Sequence, residues 1–388
     1  MTRPGSPGPR GSGIRRALAA WCGDHPGGQV LLLAGVLLLF GWLGSNTVQN
    51  MHRFGLRPGF GFLAQPANFE IGQALIEYSS RDTYARAVLV GLLNTLEIAV
   101  AGCLLASLLG LVLGVARLAG NRLLSGLVQA YVELIRNTPL LLQLFFWSAT
   151  VHALPPPRRA LAPGAGIFLT NRGVFVPTLG FDSVPDWLAP AFLAAAIVIV
   201  GLVLLRRHLT TGLALTLAAV SVATPIGVAL AAGLQVSLDV PELDGFNFTG
   251  GATLGPEFTT LLVGLVVNFA ATNSEIVRSG IVAVPRGQWD AGRALGFCWW
   301  RTLRLIVLPQ TLRVAIPLLT SSYLNLVKSS SLAVAIGFPD LTSVIGTTAN
   351  QTGQAVEAIL ILGGVYLTLN LVISAIMNSA NRRLALRV

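Results

Sequence analysis

The chain has 388 residues, of which 53% are hydrophobic and only 11% are charged, and its mean hydropathy is +0.71. Soluble domains contain about 25% charged residues, so this composition excludes an ordinary soluble enzyme and indicates a protein built into a membrane. The net charge of +10 does not indicate a nucleic-acid partner, because the basic residues are dispersed between apolar segments, as in the cytoplasmic loops of membrane proteins.

Apolar segments recur along the chain after a tail, residues 1–26, that is rich in Gly, Pro and Arg and is expected to be disordered and cytoplasmic. The first apolar run ends without a small-residue cleavage site, so it is predicted to be a retained helix. Because a spanning helix needs about 20 mostly apolar residues, the sequence predicts an all-α polytopic membrane protein with about eight transmembrane helices. Their approximate bounds are 27–44, 88–116, 137–154, 188–205, 210–235, 258–279, 313–336 and 356–378.

The distribution of arginines predicts how these spans are oriented. With the N-terminus inside, eighteen arginines fall in cytoplasmic segments and seven fall in outer loops, as the positive-inside rule requires. Both termini, including the tail 381–388, are therefore expected in the cytoplasm. The outer loops near 45–85, 153–187 and 236–257 are rich in Gly, Pro, Asn and Phe. They are expected to form compact caps with short interfacial helices.

Cysteine and histidine are too sparse for a disulfide framework or a metal centre. The three cysteines, Cys22, Cys103 and Cys298, are far apart, and their spacing matches no metal-ligand motif. The four histidines lie singly along the chain. No metal and no other cofactor is therefore expected.

A short basic segment, VPRGQWDAGRALGFCWWRTLRLIVLP at 284–309, lies between two apolar spans. Pro285 as a first-turn residue and Gly296 as a stop predict a helix of about three turns. Its Ala291, Ala294 and Leu295 share one face, beside which Gly292 is expected to leave a low surface. Such a helix suits either a groove on a partner protein or the surface of anionic lipid, and periodicity alone does not distinguish these uses.

The spacing within this segment resembles the cytoplasmic EAA signature of ABC importer permeases. That signature is an acid followed by two small residues, a glycine four positions on, and a terminal I-x-L-P; here Asp replaces the usual Glu and Gly the second Ala. The resemblance implies that the helix docks into a cleft of a separate ATP-binding subunit and transmits its closure. The candidate coupling residues are Asp290, Ala291, Gly292, Arg293, Ala294, Leu295, Gly296, Ile306 and Pro309.

Longer stretches extend the resemblance. GLLNTLEIAVAG, YVELIRNTPLLLQLFFW and NSEIVRSGIVAVPRGQWDAGRALG are similar to permeases of the polar-amino-acid subfamily, and LNLVKSSSLAVAIGFPDL is closer still to permeases of general L-amino-acid importers. The resemblance implies a five-helix permease core at 88–152 and 257–380. An extra N-terminal helix and periplasmic loop at 27–87 and a two-helix insertion at 153–256 are additional to this core.

The resemblance also implies partners and a location. It implies a transport subunit in the bacterial inner membrane that works with an ATP-binding cassette ATPase, a second permease, and a periplasmic amino-acid-binding protein. The long insertion implies that the second permease is a sister of different size, which makes the pair a heterodimer. Membrane lipid is the remaining expected partner, and nucleic acid is not expected.

Motifs for enzymatic chemistry are missing from the sequence. The only lysine, Lys328, stands in no P-loop, and neither H-E-x-x-H nor G-x-S-x-G occurs, so ATP hydrolysis is assigned to a partner chain. The main alternative is an ion- or proton-coupled secondary transporter, which predicts buried acids in a relay and an internal repeat. Glu97 is the one acid that fits such a relay. A receptor-like or scaffolding protein is a third possibility, favoured only if the basic helix binds lipid.

Other charged residues near the spans are expected to form ion pairs within their own helices rather than to contact the substrate. Glu133 with Arg136, and Glu275 with Arg278, have a spacing that predicts ion pairs on one helix face.

Lys328 is different, because it lies roughly 20 Å into its predicted span, where an ammonium costs about 2.5–3.5 kcal/mol unless it faces a cavity or a partner. It is expected either to contact the substrate carboxylate or to pair with Glu97 or the sister permease. In the resembling family an amide or acid is expected where Ser329 stands. The candidate substrate-path residues are Lys328, Asn325, Ser329 and Glu97.

Overall fold

The computed structural model describes residues 26–53, 59–118, 121–182, 211–231 and 235–385, with isolated positions between 183 and 210. Most of this part is helical, which confirms the all-α polytopic prediction. The helices are α1 (Pro26–Arg53), α2 (Tyr84–Ala116), α3 (Arg122–Asn137), α4 (Leu140–His152), α5 (Thr211–Ala231), α6 (Pro256–Val282), α7 (Arg286–Ala294), α8 (Trp299–Thr302), α9 (Leu308–Ser329), α10 (Leu341–Thr352) and α11 (Ala355–Ala385). A π-helical turn, Leu303–Val307, joins α8 to α9, and a 3-10 helix, Ser330–Ile336, follows α9.

Five segments of the described residues are long and apolar enough to cross a bilayer. They are Gly27–Asn50, Tyr84–Ala116, Pro256–Val282, Trp299–Ile336 and Ala355–Arg382, and each overlaps a predicted span. Two further predictions fall in the insertion. The span at 210–235 corresponds to α5, whereas the span at 188–205 lies almost wholly outside the described residues.

The predicted span at 137–154 is wrong in its length. Its helix, α4, has 13 residues, or about 20 Å, which is less than the roughly 30 Å of a hydrocarbon core. Pro139 is the cause, because a proline disfavours helical geometry in the residue before it, and Thr138 is extended with φ −101° and ψ 129°. The 16-residue helix α3, which lies outside the predicted spans, ends one residue earlier, at Asn137.

The core of the bundle is the contact between α2 and α6. Two glycines of α2 make this contact close: an added Cβ would lie 2.6 Å from Asn273 Cβ at Gly110, and 2.8 Å from the Ser274 carbonyl oxygen at Gly114. Small residues that let two backbones approach are the usual basis of helix packing in membranes. Buried apolar side chains from α2, α4, α6, α9 and the segment after α9 complete the core, among them Ile98, Leu144, Leu261, Leu265, Leu326 and Phe338.

The helical structure after α9 is interrupted inside the bundle rather than at its surface. Residues 337–340 connect the 3-10 helix to α10, and Asn94 of α2 holds this link by donating to the Pro339 carbonyl at 2.9 Å. The Leu341 amide donates to Thr95 Oγ1 at 3.0 Å. Thr95 is about 17 Å along α2 from its start at Tyr84, so the break lies at membrane depth. Buried hydrogen bonds to α2 satisfy backbone groups that have no partner within a helix at such an interruption.

The outer loops contain two short 3-10 helices, Phe60–Ala64 and Pro157–Arg159, as expected, but the insertion also carries strands that were not expected. β1 (Leu161–Gly164), β2 (Ile167–Thr170), β3 (Gly173–Val176) and β8 (Ala252–Leu254) form an antiparallel sheet in that order. β4 (Thr178–Asp182) pairs with β5 (Gln235–Asp239), and β6 (Glu242–Asp244) pairs with β7 (Asn247–Thr249). Only Gly255 separates β8 from α6, so the sheet is attached directly to a core helix.

Candidate coupling helix and membrane path

The basic segment forms the predicted helix, α7, and Gly296 ends it as predicted. Gly296 has φ +72°, its amide donates to the Arg293 carbonyl at 2.9 Å, and the Phe297 amide donates to the Gly292 carbonyl at 3.0 Å. These two bonds are a Schellman motif, which satisfies the last carbonyls of a helix and requires a left-handed residue. Pro285 is the N-cap residue, one position before the first turn in which it was expected.

The predicted apolar face of α7 is exposed, as a docking face has to be. Ala291 and Ala294 are exposed, and Leu295 is 69% exposed. Gly292 does not belong to this face, which corrects the expectation that it leaves a low surface there. It is buried, and an added Cβ would lie 2.6 Å from Thr302 Cγ2. Its lack of a side chain therefore lets α7 pack against α8.

The polar contacts of α7 leave its apolar face uncovered. Arg293 donates to Asp290 across one helical turn, and both side chains are largely exposed. An exposed pair of this kind contributes little stability, about 0.3–0.5 kcal/mol. Gln310 of α9 donates to Gln288 Oε1 at 3.3 Å. The bond from Gln310 joins α7 to α9, and Ala291, Ala294 and Leu295 remain free to meet another protein.

The terminal I-x-L-P of the signature lies where the helix widens. The five residues Leu303–Val307, which include Ile306, form a π-helical turn, and Pro309 follows in the first turn of α9. A proline in a helix has no amide to donate and its ring collides with the carbonyl four residues earlier, here that of Leu305. A π turn relieves such a collision by adding one residue to the turn. Pro309 therefore fixes the direction in which α9 leaves the coupling segment.

Lys328 lies on an exposed polar face of α9. Ser321, Asn325 and Lys328 are all exposed and are spaced by four and three residues, so they share one side of the helix. Asn325, one of the candidate path residues, therefore shares the face of Lys328, whereas Ser329 is half-buried and lies beside this face. No ion pair of Lys328 occurs among the described residues.

The depth of this face follows from contacts between α9 and α2. A Cβ added at Gly102 would lie 3.3 Å from Leu326 Cδ2, and Ser107 and Tyr323 share a hydrogen bond of 2.7 Å between their hydroxyls. Gly102 is about 27 Å from the start of α2 and about 21 Å from its end. Lys328, half a turn beyond Leu326, is therefore near the middle of the bilayer.

Glu97 does not join this face through an ion pair. It is half-buried in α2, and its Oε2 is enclosed without a hydrogen-bond partner in the described structure. The predicted alternative of a Lys328–Glu97 salt bridge is thus not formed within the chain. A buried carboxylate oxygen without a partner costs free energy, so Glu97 remains a candidate for function that the fold itself does not explain.

A charged cluster lies at the end of α6 nearest to α7. The predicted pair of Glu275 and Arg278 is present, with Arg278 Nε donating to Glu275 Oε1 at 3.2 Å. Arg117 at the end of α2 binds the same carboxylate, a contact that no sequence pattern predicted because the residues are 158 positions apart. Glu133 instead accepts from Gln129 at 2.7 Å, and an ion pair with Arg136 is absent from the described structure.

This cluster borders a polar cavity of about 430 Å³. Its lining residues are Arg117, Val132, Glu133, Arg136, Asn137 and Glu275. Because four of the six are charged, the cavity between α2, α3 and α6 is polar enough to hold water.

A bundle of long apolar helices with a broken inner span, a polar face at mid-depth and a small capped helix between two spans defines a polytopic membrane protein. Residues 106–386 match the family model described as the binding-protein-dependent transport system inner membrane component. The chain belongs to this family.

Curated relatives match the chain over nearly its whole length. It is 45% identical over 368 residues to the putative amino-acid ABC transporter permease protein YhdX of Escherichia coli K12. The aligned region covers 92% of this chain and 93% of that protein. The chain is 43% identical over 365 residues to the general L-amino acid transport system permease protein AapQ of Rhizobium johnstonii, covering 92% and 91%. Since the unmatched 8% is shorter than the insertion 153–256, these relatives share at least most of that insertion.

A third relative is named for acidic amino acids and their amides. The glutamate/glutamine/aspartate/asparagine transport system permease protein BztB of Rhodobacter capsulatus is 37% identical over 396 residues and covers 92% of each chain.

Proposed function

We propose that the chain is the permease subunit of an ATP-driven importer of amino acids. The observation that carries this proposal is the exposed apolar face of α7, capped at Gly296 and joined to α6 by the three residues 283–285. The names of the three relatives support amino acids as the substrate class. The chain makes and breaks no bond, and ATP hydrolysis belongs to a partner subunit bound at α7.

The proposed orientation follows from the arginine count. Both termini and α7 lie in the cytoplasm, and the strands of the insertion lie in the periplasm of a bacterial cell with the chain in its inner membrane. The proposed organisation is a core at 88–152 and 257–380, with 27–87 and 153–256 added to it. The Gly255 link between β8 and α6 supports this arrangement, because the sheet then lies at the opposite end of α6 from α7.

The helix α6 gives the proposed importer a direct mechanical link. It has 27 residues, or about 40 Å, and it connects the periplasmic sheet to the coupling helix through short links at both ends. A periplasmic binding protein that docks on the sheet can therefore act on the same helix as the ATPase. ATP binding in the partner supplies the free-energy difference between the two orientations of the transport path.

A second permease completes the proposed path. Ser321, Asn325 and Lys328 form an exposed polar face in the middle of the bilayer, where contact with lipid is unfavourable. We infer that this face lines a wet path between two permease subunits, and that the second is a sister of different size. Lys328 is then placed to bind the α-carboxylate that all amino acids carry.

The test of this function is uptake by the complete complex in vesicles. ATP enclosed with the ATP-binding subunit should drive accumulation of labelled amino acids when the binding protein is added outside. Ionophores that dissipate proton and sodium gradients should leave the initial rate unchanged. Uptake that needs an ion gradient and no ATP would instead establish the secondary transporter, the alternative to which Glu97 lends its only support.

A further inference from the structure

The segment that leads from the coupling helix into the membrane has an exposed surface of its own. Trp299 and Trp300 are each 61% exposed, and Leu305 is 60% exposed, although all three lie within the membrane-spanning segment Trp299–Ile336. Arg301 and Arg304 are exposed between them. We call this the entry surface; it comprises Trp299, Trp300, Arg301, Arg304, Leu305 and Leu308.

The entry surface is unlike the docking face of α7. Its side chains are aromatic, basic and large apolar, whereas α7 presents two alanines and one leucine. Tryptophans are enriched where helices enter the headgroup layer of a bilayer. Leu305 and Leu308 lie further along the helix toward the apolar interior, so the order of residues along the chain follows the order of layers in a membrane.

The positive charge of the entry surface has no acidic partner among the described residues. The sequence contains no Asp or Glu from 291 to 339. The four ion pairs of the described residues leave out Arg301 and Arg304. Two unopposed guanidinium groups beside a membrane attract anionic headgroups, and a guanidinium can bind a phosphate through two parallel hydrogen bonds.

We propose that the entry surface binds the headgroups of anionic phospholipids in the cytoplasmic leaflet. Arg301 and Arg304 hold the phosphates, the two indoles lie in the headgroup layer, and Leu305 and Leu308 contact the acyl chains. The proposal rests on the cytoplasmic orientation given under the proposed function. It adds a lipid contact that holds the segment after α7 at the membrane surface. When α7 moves, this segment then stays fixed relative to the membrane.

The test measures quenching of tryptophan fluorescence by brominated lipids in the full chain, without the ATP-binding subunit. The signal of Trp299 and Trp300 is isolated by subtracting that of the Trp299→Phe/Trp300→Phe chain. Mixtures of phosphatidylglycerol and phosphatidylcholine, with either lipid brominated, then give the local preference for the anionic lipid. Each arginine should contribute about fivefold at low salt, so we expect a preference of about tenfold or more, reduced by 0.5 M salt.

Matched variants decide whether the preference belongs to this surface. Arg301→Gln/Arg304→Gln should bring the preference close to one, and Arg301→Lys/Arg304→Lys should retain most of it. Arg158→Gln/Arg159→Gln, which removes two exposed arginines at the insertion, should leave it unchanged. Equal quenching by both lipids in the unaltered chain, or a preference that survives the glutamine variant, would overturn the proposal. Because no ATPase is present, the result is independent of whether the chain drives uptake.

Discussion

Ala294→Glu in α7 is expected to abolish coupling to the ATP-binding subunit while the chain still inserts and folds. Ala294 is exposed, so the free permease tolerates the new carboxylate in water. In a complex the same carboxylate would be removed from water without a partner, which costs several kcal/mol and corresponds to a loss of affinity of about a hundredfold or more. Co-purification of the ATPase and its stimulated turnover are the measurements.

The same substitution outside the docking face is the control. Ala283 is also exposed and is the C-cap residue that follows α6 rather than a residue of α7, so Ala283→Glu should keep ATPase binding. Gly296→Asp adds a second route to the same loss, because φ +72° is strained for a side chain and the Schellman cap is weakened. Normal ATPase binding by both Ala294→Glu and Gly296→Asp would return α7 to the interpretation as a lipid-surface helix.

Lys328→Met is expected to abolish uptake of every amino acid that the system carries. The substitution keeps the length and the apolar stem of the side chain and removes its ammonium from the polar face of α9. If this group binds the substrate carboxylate, the loss does not depend on the substrate side chain. Initial uptake rates for acidic, neutral and basic amino acids, measured with the complete complex, should all fall at least about a hundredfold, as for a lost charge-assisted contact.

Two comparisons separate a substrate contact from a structural one. Lys328→Arg should restore part of the uptake because it restores a positive charge, whereas Leu318→Met, another exposed position on α9, should behave as the unaltered chain. Assembly with the second permease is followed in parallel. Unchanged apparent affinity in an assembled Lys328→Met complex would exclude the substrate role, and failure to assemble would make the lysine structural.

Local features of this chain were predictable because local spacing determines them. Gly296 stops α7 wherever the rest of the chain lies, since a left-handed cap involves only the residues beside it. In the same way, helical periodicity places the alanines of α7 on one face and brings Glu275 within reach of Arg278, although Glu133 and Arg136, with the same spacing, form no ion pair in the described structure. The long spans could be predicted because a run of about 20 apolar residues is typical of a transmembrane helix.

Features that depend on distant contacts were not predictable from these patterns. The strands of the insertion have three to five residues each, too few to show alternation. Arg117 can bind Glu275 only because α2 and α6 pack closely at Gly110 and Gly114. Gly292 was assigned to the wrong side of α7 because its burial depends on Thr302 of the next helix. The break before α10 is stabilised by Asn94 and Thr95, more than 240 residues earlier.

The proposed contact between the apolar face of α7 and an ATPase on the cytoplasmic side can be tested with a single engineered cysteine. The chain has three cysteines, so a cysteine-free background needs only Cys22→Ser, Cys103→Ser and Cys298→Ser. In that background, Ala294→Cys is treated with a thiol cross-linker in vesicles of each orientation, and Asp244→Cys at the exposed β6 is the control for the opposite side.

We expect Ala294→Cys to react only from the cytoplasmic side and to give a cross-linked product with the ATP-binding subunit. Asp244→Cys should react only from the periplasmic side and give no such product. Reaction of Ala294→Cys from the periplasmic side would place α7 on the wrong side of the membrane. A cytoplasmic cysteine that never cross-links to the ATPase in an actively transporting complex would show that this face of α7 does not bind it.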